Sequence, residues 1–282
     1  MRKKHLINLS YEKISEDLKD DLNGKNLSND ITSETLLKNS ETIECVISNR
    51  EFIVLCGVQF IKNFLKKKFP SVKIKSFFKD GELIEKNSSI FILSGKAKII
   101  LGVERTILNF LQHLSSISTT THKFASKLVH TNTQLLNTRK TTTGLRKLEK
   151  YATVVGGALN HRMGLYDEIL IKDNHIKILG GIKKMLRAVN SHKIKKFKIE
   201  CENFEEVLMS VSKGASYILL DNMKIPEIKK CMNLKKNKIK FEITGGITLA
   251  NISKYAKLGA DYISTSKITN SSNSVDIGLD IM

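Results

Sequence analysis

Arg139 and Lys140 follow a short strand-like run, Gln134-Leu135-Leu136, while His161 and Arg162 follow a helix-like stretch that carries Gly156-Gly157. Lys172 follows a second strand-like run, Glu168-Ile169-Leu170-Ile171. Cations set just past short strands point to a ligand with several negative charges, because a solvated surface lysine needs no strand to position it. Arg suits planar carboxylates, since its fork binds both oxygens, and charge-assisted contacts are shorter and stronger than neutral ones. Later strand-like runs also end in polar groups: Glu200 with Glu202, then Asp221, then Thr244-Gly245-Gly246, then residues 264–269. Glycines after a strand let backbone N–H groups approach an anion closely. Each piece alone has a bland reading. Arg139-Lys140 can be a solvated pair, Glu200 and Glu202 the polar face of a strand, and Gly245-Gly246 a turn.

Periodicity places these groups on elements. The first hundred or so residues mix signals in an α+β pattern. Residues 14–22 read as a short amphipathic helix, 42–48 and 53–56 as strands, 58–69 as a helix, and 72–78 as a strand before the turn Asp80-Gly81. Residues 90–93 and 96–101 read as two further strands. The pattern changes at Glu104. The spacing of Ile107, Leu108, Leu111, Leu114 and Ile117 predicts a long helix over 106–129. Strand-like runs at 133–136, 168–171, 197–201, 216–220, 240–243 and 261–264 then alternate with helix-like segments. This alternation predicts parallel strands with crossover helices. Strands that all end in polar groups fit an α/β barrel, whose active site lies at the C-terminal strand ends. The structural alternative is an open doubly wound sheet. Its dinucleotide-binding version needs a GxGxxG turn after an early strand, and the chain has none.

The bulk properties narrow the partners. At 282 residues the chain holds one large domain or two small ones. No apolar run approaches the roughly 18 residues that span a bilayer, and the N-terminus has no apolar signal core, so a cytoplasmic location is expected. Cys45, Cys56, Cys201 and Cys231 are scattered, with no metal-ligand spacing, and read as free thiols. The formal net charge of +19 would suggest polyanionic partners. Most of the excess is Lys spread along the chain, as in Lys66-Lys67-Lys68 and Lys235-Lys236, without the interleaved aromatics that base stacking requires. Neither a nucleic-acid nor a membrane partner is expected.

Taken in order, these pieces resemble the quinolinate phosphoribosyltransferases. The match runs nearly end to end. It takes in Asp20-Asp21-Leu22, Asn29-Asp30-Ile31-Thr32, Glu104-Arg105-Thr106 and Thr138-Arg139-Lys140-Thr141. It continues through Asn160-His161-Arg162, Lys172-Asp173-Asn174-His175, Leu220-Asp221-Asn222 and Gly245-Gly246. The resemblance implies an α/β fold: an N-terminal α+β sandwich over 1–104, then an incomplete parallel α/β barrel over 105–282, with the last residues free to pack back on the N-terminal domain. It implies the decarboxylating transfer of a phosphoribosyl group to quinolinate, with Mg2+ bound alongside phosphoribosyl pyrophosphate rather than in a protein cage. A homodimer, or a larger assembly, is also implied.

By the same resemblance, Arg139, His161, Arg162 and Lys172 grip the quinolinate carboxylates, and Arg105 reaches in from the neighbouring subunit. Lys140, Glu200 and Asp221 address the ribose and pyrophosphate and are the catalytic candidates, with Glu202 as the fallback for Glu200. Thr138, Thr244, Gly245, Gly246, Lys267, Ile268 and Thr269 complete the substrate contacts. His113, His122 and His175 are left as structural. The chain departs from the family pattern at Asn137, Thr143 and Ser116, and most loosely across residues 264–270, where Lys267 and Asn270 replace a small residue and a His. The alternatives are a paralogue of the molybdenum-associated type with another acid substrate, and a homologue that has lost catalysis.

Overall fold

A computed structural model describes residues 3–235 and 239–282; Lys236, part of the Lys235-Lys236 run, lies outside them. The elements run α1 (Lys3–Asp21), α2 (Ile31–Leu36), β1 (Thr42–Asn49), β2 (Ile53–Val54), α3 (Val58–Lys68), β3 (Lys73–Ser76), β4 (Leu83–Ile84), β5 (Ser89–Lys96) and α4 (Ala97–Ser126). They continue β6 (Gln134–Leu136), α5 (Arg146–Val155), β7 (Leu170–Ile171), α6 (Asp173–Ile178), α7 (Ile182–Ser191), β8 (Lys198–Cys201), α8 (Phe204–Ser212) and β9 (Tyr217–Asp221). The last are α9 (Ile225–Met232), β10 (Lys240–Thr244), α10 (Ile252–Ala256), β11 (Tyr262–Ser264), α11 (Lys267–Asn270) and β12 (Ile277–Ile281). Two units result. Met1–Thr120, Gly144–Gly156 and Ser272–Met282 form the first; Thr121–Thr143 and Gly157–Ser271 form the second.

In the first unit an antiparallel sheet runs in the order β12-β1-β5-β3, beside the two-stranded pair β2-β4. α3 buries Phe60, Ile61, Phe64 and Leu65 on one face, at the spacing of successive helical turns. Its N-terminus is buried and still satisfied: Asp80 Oδ1 accepts from the N–H groups of Gly57 and Val58 at 2.9 and 2.8 Å. Tyr151 donates its hydroxyl to the other Asp80 oxygen at 2.7 Å. Two sequence expectations change here. The first helix starts at Lys3, well before residue 14. Residues 96–101 are not a strand: β5 ends at Lys96, paired with Thr42, and α4 begins at Ala97. A short apolar run does not distinguish strand from buried helix. Burial of Ala97, Ile100, Val103, Ile107 and Leu111, spaced by three or four, selects the helix.

In the second unit six strands pair in the order β6-β11-β10-β9-β8-β7, and every pairing is parallel. Consecutive strands from β7 to β11 are neighbours, and β6 joins beyond β11. The winding therefore never reverses, as it would in a doubly wound sheet. It follows a barrel that remains open between β6 and β7. Side chains alternate along each strand. Ile199 and Cys201 on β8, Ile218 and Leu220 on β9, and Phe241 and Ile243 on β10 pack into one apolar core with Met185, Val207, Ile228 and Ile252 from the covering helices. The alternate residues face inward.

Candidate active site

Those inward residues line a cavity of about 560 Å³ at the C-terminal ends of the strands. Register decides which groups share a level. Glu200 on β8 and Glu242 on β10 both pair with Leu219 on β9, and Thr244 pairs with Asp221. One rung thus presents Glu200, Leu219 and Glu242, and the rung nearer the mouth presents Asp221 and Thr244. All of these line the cavity.

The cations enter from loops after β6 and β7 and from the segment following α5. Arg139 and Lys140 lie just past β6, His161 and Arg162 before β7, and Lys172 at the end of β7. Arg162 is 7% exposed and donates from Nη1 to the carbonyl of Glu168 at 3.1 Å. Burial, and next the Arg139 guanidinium, lower its pKa from the usual value, while Glu168 and Glu200 oppose the drop. Two guanidiniums that each disfavour the other's charge in one cleft make it receptive to an anion. Arg139 Nε is buried without a hydrogen-bond partner. Lys172 Nζ is 2.5 Å from Glu200 Oε2, so the cleft holds an ion pair across β7 and β8.

The far wall is built for close approach of backbone. Gly245 and Gly246 have φ of +84° and +62°, a region that side-chain-bearing residues rarely enter. A Cβ at Gly245 would run into the Asn222 side chain and stand 2.7 Å from its backbone nitrogen. Asn222 itself has φ +52° and donates its backbone N–H to Thr244 O at 3.0 Å, locking the β9 and β10 exits together.

Most of the expected groups therefore converge: Thr138, Arg139, Lys140, His161, Arg162, Lys172, Glu200, Asp221, Thr244, Gly245, Gly246 and Lys267 all line the cavity. Ile268 and Thr269 do not. Ile268 is fully buried in the apolar core, and Thr269 donates its hydroxyl to Lys140 O at 2.7 Å, tying down that loop. Of the 264–269 stretch expected at the site, Ser264, Thr265 and Ser266 line the wall with Lys267. Glu202 is exposed and outside the lining, with its N–H bound to Glu206. Arg105 is exposed on α4, in the first unit. His113 bonds to the buried Glu149 at 3.1 Å. Sequence reading passed over Glu242 and took Asn222 only as part of the Leu220-Asp221-Asn222 motif, not as a cavity residue. A signal for Glu242 existed: a lone acid between Phe241 and Ile243 in a strand whose apolar neighbours face the core.

The four cysteines are free and buried, and burial raises their thiols, Cys45 and Cys231 to about 11 and Cys201 to about 12. Among the described residues no helix is long and apolar enough to cross a membrane.

Comparison with known proteins adds to this geometry. A family model described as "Quinolinate phosphoribosyl transferase, C-terminal domain" matches residues 117–280, and the corresponding N-terminal domain model matches 30–115. The chain is 38% identical over 264 residues to a probable nicotinate-nucleotide pyrophosphorylase [carboxylating] of Methanocaldococcus jannaschii, covering 90% of this chain and 92% of the relative. It is 35% identical over 255 residues to the protein of that name from Bacillus subtilis, covering 89% and 88%. Among solved structures, a nicotinate-nucleotide pyrophosphorylase from Ehrlichia chaffeensis superposes with TM-score 0.89 at 37% identity, covering 100% and 99% of the two chains.

Proposed function

The chain belongs to the quinolinate phosphoribosyltransferase family, and on that premise we propose that it joins quinolinate to phosphoribosyl pyrophosphate, releasing pyrophosphate and carbon dioxide and leaving nicotinate mononucleotide, a step of NAD biosynthesis. The observation that carries this reading is a single cavity lined both by the cations Arg139, Arg162 and Lys172 and by Glu200, Asp221 and the Thr244-Gly245-Gly246 turn at the strand ends. A pyridine diacid needs the first group and an activated sugar phosphate the second.

Each residue has a task in that chemistry. Arg139 and Arg162 present planar forks to adjacent carboxylates, and Lys172 adds a point charge. Held so, the ring nitrogen of quinolinate attacks the anomeric carbon as the bond to pyrophosphate breaks. Positive charge grows on the ribose, and Glu200 and Asp221 are the lining carboxylates that would stabilise it. Lys140 and Lys267 face the leaving and remaining phosphates, and the glycine turn offers close backbone approach to the 5′-phosphate. The carboxylate beside the now cationic ring nitrogen then leaves as carbon dioxide. Its bonding electrons stay on the ring carbon, which takes up a proton. No covalent nucleophile is required.

Mg2+ fits this donor set, because Glu200 and Asp221 are the one or two carboxylates with which it is commonly held alongside substrate phosphates. When bound it would neutralise charge on the departing pyrophosphate. The exposed guanidinium of Arg105 suits a homodimer in which it serves the partner's cavity. Four buried free thiols agree with a reducing, cytoplasmic location. Purified protein given quinolinate, phosphoribosyl pyrophosphate and Mg2+ should form nicotinate mononucleotide. A folded protein that forms none defeats the proposal.

A further inference from the structure

One carboxylate in the cavity takes no part in the reaction just described. Glu242 is fully buried in the middle of β10. An ionised group there is costly unless it is paired. Tyr217 donates its hydroxyl to Glu242 Oε2 at 2.7 Å, and His161 Nε2 stands 3.5 Å from the same oxygen. Burial alone would raise this carboxyl; contacts with His161, Ser264 and Tyr217 outweigh that and hold it below the usual 4.5. These contacts favour the ionised form of Glu242.

The other side of the imidazole is also engaged. The backbone N–H of Arg162 donates to His161 Nδ1 at 2.8 Å. A nitrogen that accepts carries no proton, so the ring proton lies on Nε2, the nitrogen that faces Glu242. The backbone N–H of His161 donates to Asn137 Oδ1 at 3.1 Å, and Asn137, itself fully buried, donates to Asn160 at 2.8 Å. Both ring nitrogens are thus turned toward protein.

We propose that Glu242 is a positioning residue for the acid-binding side of the site: through His161 it fixes the backbone of Arg162, and with it the direction in which that guanidinium meets the diacid. The proposal rests on the quinolinate reading above and refines it. His161 lines the cavity and keeps its expected place on the acid-binding side, with Glu242 behind it. Glu242 touches no reacting atom. Its effect should fall on one substrate only, because Lys140, Asp221 and the glycine turn do not depend on the His161 ring.

The test is substrate-resolved kinetics on the full chain. Glu242→Gln keeps the shape and removes the charge. It should raise KM for quinolinate roughly tenfold, the scale of a small misplacement of a binding group, with KM for phosphoribosyl pyrophosphate within about twofold. Dissociation of phthalate, an unreactive diacid, should weaken in parallel. Glu242→Asp should recover part of the loss. His161→Gln should show the same substrate-selective pattern, and the double variant should be no worse than the poorer single, as coupled residues require. An unchanged quinolinate KM, equal damage to both substrates, or additive losses would overturn the inference. If Glu242→Gln does not fold, Tyr217→Phe keeps the carboxylate and removes one donor; a smaller selective rise supports the inference and no rise overturns it. A folded wild type that makes no nicotinate mononucleotide removes both this inference and the functional reading. An active wild type with an unaltered Glu242→Gln quinolinate KM removes this inference alone.

Discussion

Arg162 is a cation that folding has already stripped of most of its water, and that loss makes it useful. The Glu168 carbonyl accepts from its guanidinium and the Arg139 charge opposes its own, so a carboxylate ligand would meet a cation that burial has already desolvated. Arg162→Ala should lose roughly a hundredfold or more in affinity for quinolinate or phthalate by calorimetry, in line with removing one partner of a buried charge pair. Its melting temperature should stay near wild type. Arg162→Lys should recover little, because an ammonium cannot form the bidentate contact. Gly245 is the opposite kind of residue, valuable for lacking a side chain. Gly245→Ala forces a strained φ of +84° and a collision with Asn222. It should cost about 1–3 kcal/mol of stability, and it should raise KM for phosphoribosyl pyrophosphate more than KM for quinolinate.

Among the elements, β10 carries two assignments at once. Phe241 and Ile243 anchor it to the helices, while Glu242 and Thr244 face the cavity. Phe241→Ala should destabilise the protein by about 3–5 kcal/mol, the usual cost of a large buried aromatic, as read from denaturant midpoints. The neighbouring turn adds a pH dependence. Burial works to raise the Asp261 carboxyl. Hydrogen bonds from Lys240, the Phe241 N–H and Lys235 outweigh it and hold the carboxyl below the usual 3.8. A folded-state pKa below the unfolded one stabilises the native state above the unfolded value, and the contribution is lost as pH falls through the folded value. Stability should therefore drop on acidification below about pH 4. Asp261→Asn should flatten that limb in melts recorded from pH 6 to 3.

For the whole molecule, the excess of positive charge is spread along the chain, and a small set of its cations lines one cavity. The proposed dimer has a direct test in Arg105. Arg105→Ala and Arg162→Ala should each be nearly inactive. If Arg105 serves the partner's cavity, mixing and reassembling the two should restore roughly a quarter of wild-type activity. Random pairing makes half the dimers mixed, and each of those has one intact site of two. Mixtures that stay inactive while forming dimers would place Arg105 in its own subunit's chemistry.

The cavity's charged lining was legible in part, because Arg139, Lys172, Glu200 and Asp221 come directly after apolar runs. Position alone left Arg139-Lys140 open to a solvated pair and Glu200 to a polar strand face, and the family resemblance singled them out; the alternation of strand and helix signals predicted the parallel sheet. The limits of the reading are equally physical. Residues 96–101 look like a strand until a helix that continues to Ser126 claims their buried face. Ile268 looks like a pocket residue until the core takes it. Glu242 drew no reading from the sequence; strand register sets it level with Glu200 across Leu219, near His161 and bonded to Tyr217. Local order along the chain set the groups and their sequence. Which of them share a rung, which nitrogen of His161 holds its proton, and which acid is buried rather than solvated depend on pairing between residues tens of positions apart, and those pairings exist only in the folded barrel.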